Sequence, residues 1–252
     1  GKVFAVLKPN TATVVPSSLK KDIESFLRDR TTVSVIPEVI DPIPLYFRVS
    51  LNVIYNPSVV KVSEAALISS IRNVIFNYVE EQSQDFNTSI SYSKIQKQVL
   101  DSVPGVESIS LSPALEYRFL PTSNVAADYQ FEFKNPIFHP HDGHKPGVVY
   151  SSKFNYASAD GTIRLIQIED DGFGNLRAYE TVNNIKQYLN VDFGSVDYAQ
   201  GVVSFNEFAL SSPDNSDIKV YAVIGASRVF SSQQYIIQQD SRDNSAISVS
   251  VS

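Results

Sequence analysis

All three histidines of the chain fall within six positions, in the stretch FHPHDGHKPG: His139, His141 and His144, with Asp142 between them. Three imidazoles and a carboxylate are the donor types of a zinc or non-haem iron site. Two imidazoles at i and i+2 of an extended segment point to opposite sides, so convergence needs a turn. Pro140 and Gly143 supply residues for one. The same types also make ordinary exposed loops, and no outer acid or general base is marked out by its spacing. A surface or interface loop is the preferred reading, with a structural metal or a catalytic centre as alternatives.

Other chemistry leaves little trace. There is no G-x-x-x-x-G-K-[ST] phosphate loop, no G-x-G-x-x-G after a strand, no H-E-x-x-H and no G-x-S-x-G elbow. DDGFGN (170–175) touches a calcium loop, but its acids are adjacent where such loops alternate them, so a hairpin turn fits better. Paired-carboxylate hydrolysis needs a spatial pair, and nothing singles one out among 27 acids. With zero cysteines, disulfides, thiolate metal sites and cysteine nucleophiles are excluded. Net charge is −6 and no Lys/Arg stripe appears, which argues against nucleic acid as a partner. No apolar run reaches the roughly 20 residues needed to span a bilayer. The chain begins at Gly1 and has no methionine, which reads as a piece of a longer protein, or as a sequence from which modified methionines are missing.

The elements that must position any site follow from periodicity. KVFAVL (2–7) reads as a buried strand, and Leu19, Ile23, Phe26 and Leu27 mark one helix face. TTVSVIPEVIDPIP (31–44), punctuated by proline, suits an extended edge segment. Leu45, Phe47, Val49, Leu51, Val53 and Tyr55 then alternate with polar residues, the clearest strand in the chain. A helix with Ser63 as N-cap carries Leu67, Ile71, Val74, Ile75 and Tyr78. Ser93 and Gln96 have capping-box spacing for a third helix, stopped by Pro104–Gly105, and VESISLS (106–112) is a strand. This order, β-α-β-β-α-α-β, predicts an α+β module over 1–112 with helices on one side of a mostly antiparallel sheet. An aromatic, proline-broken connector is expected over 113–147, and a β-rich domain over 148–252. There GTIRLIQI and LRAYETV form a hairpin, GSVDYAQGVVSF forms another, and VNNIKQYL is the one helical candidate.

The text VIDPIPLYFRVSLNVIYNP, then ISSIRNVIFNYV, then DFNTSISYSKIQKQVLDSVPGVESISLS, resembles the baseplate J-like family of contractile phage tails. The shared pieces are a V-x-D-P approach to a long alternating strand, a helix ending in an aromatic-rich turn, a YSKI helix start and a PGV step into a strand. The likeness covers Val33 to Leu111 and is strongest to the C-terminal part of the wedge subunits of T4-like phages; the β-rich half is similar only to that narrower group. The resemblance implies a virion structural protein of the tail baseplate, assembled in the host cytoplasm. It would self-associate as a homodimer within a larger ring around the central hub, dock other wedge proteins and help couple baseplate rearrangement to sheath contraction. No cofactor, catalytic residue or small-molecule substrate comes with it.

Interface residues are expected among the connector aromatics Tyr117, Phe119, Tyr129, Phe131, Phe133 and Phe138, types enriched at interface centres. Filling the core between the two halves is the equal alternative. Ile247, Val249 and Val251 alternate with serines at the C-terminus, either as an ordinary last strand or as one added to a partner's sheet. Rival functions are a carbohydrate- or receptor-binding tail module, using the aromatics as a platform, and a hydrolase.

Overall fold

The computed structural model describes residues 1–9, 14–32, 34–83, 85–122, 125–139, 145–157, 162–208, 217–232 and 234–252. Strand β1 (Lys2–Val6), helix α1 (Ser17–Arg28) and β2 (Ile36–Ile40) form a parallel strand pair joined through a helix. Contrary to the expectation for KVFAVL, Val3 and Phe4 are exposed, and no residue of α1 is buried. β1 and β2 make a two-stranded sheet of their own, set apart from the larger sheet whose second layer buries its strands.

In β3 (Ile43–Tyr55) the alternation expected from sequence is realised: Leu45, Phe47, Val49, Leu51 and Val53 are all buried. The helices covering them bury Leu67, Ile71, Ile75, Ile95 and Val99, from α2 (Glu64–Gln82) and α3 (Tyr92–Ser102). Ser63 caps α2, its Oγ accepting from Ala66 N at 3.3 Å. Helix α3 starts earlier than the Ser93 cap expected for it. The short strand β4 (Ser89–Ser91) runs straight into it and makes Ser91 the N-cap residue. Gln96 Nε2 donates to Ile109 O at 3.1 Å, so it does not close a capping box.

β5 (Val106–Phe119) pairs antiparallel with β3 and continues past Ser112. Beyond it come β6 (Ala127–Glu132), β7 (Val149–Ser151), β8 (Phe154–Ala157), β9 (Ile163–Asp170), β10 (Asn175–Val182), β11 (Ile185–Asp197), β12 (Val202–Phe208) and β13 (Ile218–Val223). β14 (Arg228–Phe230) pairs with β4, while β15 (Tyr235–Gln238) and β16 (Ile247–Val251) return to β3, both parallel to it. One twelve-stranded sheet results, in the order β15-β3-β5-β13-β7-β9-β10-β11-β12-β6, with β16 also on β3 and β8 on β9. It is mostly antiparallel, and with three helices the fold is α+β, the class expected from sequence.

The sheet curls until its far strand meets β5 again. The rings of Phe119 on β5 and Phe131 on β6 lie 4.6 Å apart, and Phe193, Phe205 and Phe208 join them inside the curl. Both expected hairpins are present, β9–β10 and β11–β12. VNNIKQYL is not a helix. Val182 pairs with Ile185, and Asn183 and Asn184 between them take φ of 51° and 63°, the two left-handed positions of a tight hairpin turn.

Candidate functional site

The sequence-derived site residues land in different places. His139 sits flat on Tyr198, centroids 4.2 Å apart, with Nε2 3.0 Å from Gly172 O. His141, Asp142 and His144 lie outside the described residues. Phe131 and Phe133 are buried, while Tyr117, Phe119 and Tyr129 are half-buried with their rings packed into the same aromatic cluster. Phe138 remains 43% exposed. Ile247 is buried, and Val249 and Val251 half-buried, on a strand paired with the chain's own Val49–Val53. DDGFGN is a turn: Asp171 Oδ1 accepts from Phe173 N and Asn175 N at 2.7 and 3.0 Å.

A different group emerges on the sheet's outer face. Residues opposite one another in register project from the same side, and one such row crosses six strands. It runs Tyr46 (β3), Glu116 (β5), Tyr221 (β13), Tyr150 (β7), Glu169 (β9) and Arg177 (β10). Period-two alternation places these side chains here: their neighbours Leu45, Leu115, Val149, Ile168 and Ala178 face the core.

Two carboxylates anchor the row. Glu116, with no exposed side-chain surface, accepts from Arg48 Nη1 at 2.7 Å and from Arg118 Nε, and Lys219 Nζ stands 3.7 Å away. Glu169, almost as buried, accepts from Arg177 Nη2 at 3.1 Å, Tyr188 OH at 2.7 Å and Lys186 Nζ. Between the two clusters Tyr150 and Tyr221 stack at 4.8 Å. Guanidinium groups lie over neighbouring rings, Arg118 over Tyr46 at 3.8 Å and Arg177 over Tyr188 at 4.2 Å.

The titrations this face displaces all move away from neutrality. Burial raises the phenols of Tyr46, Tyr150 and Tyr221, the last pushed up to about 12 with Glu116 adding to the effect. Burial and the bond to Glu169 raise Tyr188. Burial opposes the charge of Lys186, but Glu169 outweighs it and holds the ammonium above its ordinary value. At neutral pH these phenols are hydrogen-bond donors and the cations stay charged.

Sequence reasoning missed this face because its members are far apart in the chain. A local signal does exist in SPALEYRF (112–119), where Glu116 and Arg118 occupy the alternate positions of an apolar strand.

No family model matches the chain. A 102-residue stretch, 40% of the chain, is 28% identical to Baseplate wedge protein gp6 of Enterobacteria phage T4 and covers 16% of that protein. The chain is therefore similar, over two-fifths of its length, to a phage baseplate wedge protein.

Proposed function

We propose that this chain is a non-enzymatic structural component of a phage tail baseplate wedge. The observation that carries the reading is its similarity to the T4 baseplate wedge protein. In this reading it self-associates as a homodimer within a larger ring around the hub, docks other wedge proteins and helps couple baseplate rearrangement to sheath contraction. Its site is the virion tail baseplate, reached by assembly in the host cytoplasm. The division into an α+β module (1–112), an aromatic connector (113–147) and a β-rich domain (148–252) belongs to the same proposal. The outer face supports it: tyrosine and arginine side chains, preassembled by ion pairs, are the chemistry of adhesive surfaces. Phe138 is the most exposed of the connector aromatics and the first candidate among them for a partner contact.

The test is the position of an electron-dense label fused to the chain in intact tails. Labels in a ring at the baseplate are expected; labels elsewhere, or virions without the chain, overturn the reading. Light scattering at micromolar concentration tests self-association, for which a strict monomer, alone and with other wedge proteins, is the negative result. A second reading, a carbohydrate- or receptor-binding module, is favoured by the stacked Tyr150–Tyr221 pair. A glycan-array signal abolished by Tyr150→Ala would establish it.

A further inference from the structure

The free side of β3 is occupied in two pieces. β15 pairs with residues 43–46 and β16 with residues 49–53, both in parallel register. The chain between them, 239–246, leaves the ladder and carries its two aspartates to the outer face. Each aspartate does two things. Asp240 accepts Arg242 N on Oδ1 at 2.9 Å, shaping its own turn, and Arg118 Nη2 on Oδ2 at 2.6 Å. Asp243 repeats the arrangement, with Ser245 N on Oδ1 at 2.9 Å and Arg48 Nη1 on Oδ2 at 2.7 Å. Arg48 Nη2 also donates to Ser245 Oγ at 2.7 Å, and Lys219 Nζ lies 3.7 Å from Asp243.

The three cations Arg48, Arg118 and Lys219 thus face the three anions Glu116, Asp240 and Asp243, a balanced set. It joins β3, β5 and β13 to the last segment of the chain. Past the set, β16 holds on by five paired residues, the buried Ile247, a bond from Arg72 Nε of α2 to Ile247 O at 3.1 Å, and Ser250 Oγ donating to Leu51 O at 3.0 Å and to Asn52 Oδ1. Val249 and Val251 are only half-buried and Ser248 and Ser250 are exposed. The apolar hold of this short edge strand is therefore one core side chain, Ile247, and two half-buried valines packed against the core.

We propose that residues 239–246 are an ionic clasp that fastens the C-terminal strand β16 to β3, and that β16 detaches as a unit when the clasp is broken while the rest of the sheet stays folded. Opening it uncovers the Val49–Val53 edge, a row of backbone donors and acceptors that β16 otherwise pairs. Local opening of this kind, well below the global unfolding free energy, is the behaviour hydrogen exchange resolves.

The reporters are the amides of Val49, bonded to Ala246 O at 2.9 Å, and Ser252, bonded to Val53 O at 3.0 Å. In the double variant Asp240→Asn, Asp243→Asn their exchange is expected to accelerate at least tenfold, with the β9–β10 amides unchanged. The milder Ser245→Ala, which removes the hydroxyl's bonds to Arg48 and Asp243 and leaves every charge in place, is expected to give a smaller acceleration of the same amides. Raising the wild-type protein from 0.05 to 1 M sodium chloride should act in the same direction, because screening weakens partly exposed ion pairs. Unchanged exchange at Val49 and Ser252 in both variants overturns the clasp. So does equal acceleration of all amides, which would mean global destabilisation. If the double variant does not fold, the serine variant and the salt series decide alone.

Discussion

Glu116→Ala tests whether the outer face is held by its buried carboxylate. Glu116 has no exposed side-chain surface and receives charged hydrogen bonds from Arg48 and Arg118. Bonds to charged groups contribute about 1.5–3 kcal/mol each, and removing one member of a buried pair costs about 3–5 kcal/mol. Here the stranded arginines are 14% and 20% exposed, and each keeps an aspartate partner. That places the loss at the low end, about 3 kcal/mol. For a chain of this size each kcal/mol moves the midpoint by about 2–4 °C, so Tm should fall by about 6–12 °C. Glu116→Gln keeps the shape without the charge and should lose about half as much in urea unfolding followed by circular dichroism. Glu180→Ala is the comparison: it breaks a more exposed pair with Arg164, where such pairs contribute below about 1 kcal/mol. If Glu116→Ala costs no more than Glu180→Ala, the reasoning about this face is wrong.

Three further outcomes follow from the same geometry. Phe205→Ala, at a ring that touches Phe119, Phe131, Phe193 and Phe208, should cost about 3–5 kcal/mol by denaturant titration. Asn184→Gly should leave stability unchanged or higher, and Asn184→Val should lower it by about 1–3 kcal/mol, because φ of 63° suits glycine and penalises a β-branched residue. Acid should destabilise the fold in a defined window. Burial alone would raise Asp240 and Asp243, but bonds from Arg118 to the first, and from Ser245 and Arg48 to the second, outweigh it and hold both below the ordinary carboxylate value. Groups depressed in the folded state contribute stability above their unfolded value, near pH 4, and lose it as pH falls through the folded one. The unfolding midpoint should therefore be flat from about pH 5 to 8 and fall below about pH 4; a midpoint that rises on acidification would contradict the assignment.

Elements held by local patterning are legible in the amino-acid sequence itself. β3 shows as six alternating apolar positions, α2 as a stripe with its Ser63 cap, and two hairpins as their turns. The failures have physical causes. In VNNIKQYL the residues Val182, Ile185 and Leu189 fall at helical spacing, yet Asn183 and Asn184 accept left-handed backbone and fold the segment into a hairpin. KVFAVL is apolar enough for a core strand, but burial is decided by what packs on it, and β1 pairs with β2 in a small separate sheet. The outer face is out of reach for a third reason. Arg48 is separated by 68 and 195 positions from Glu116 and Asp243, the partners it binds, and only the strand order brings them together.

That strand order also decides how the helix-covered and curled parts of the sheet are joined. β5 has β3 on one edge and β13 on the other, and a second link runs from β4 through β14 to Asn135 beside β6, which bonds Phe230 in both directions at 2.8 and 2.9 Å, so the helix-covered side meets the curled part of the sheet by two routes. The Arg48–Glu116–Lys219 set crosses both ladders of β5 and links β3, β5 and β13 across the outer face. Apolar side chains would not serve as well on this face, which stays partly open to water, with Tyr150 36% exposed and the Lys219 side chain 30%. Paired charges tolerate partial hydration and still fix the angle between strands. The placement of buried ion pairs at β5 thus ties the strands on its two edges to each other through side chains as well as through the backbone ladders.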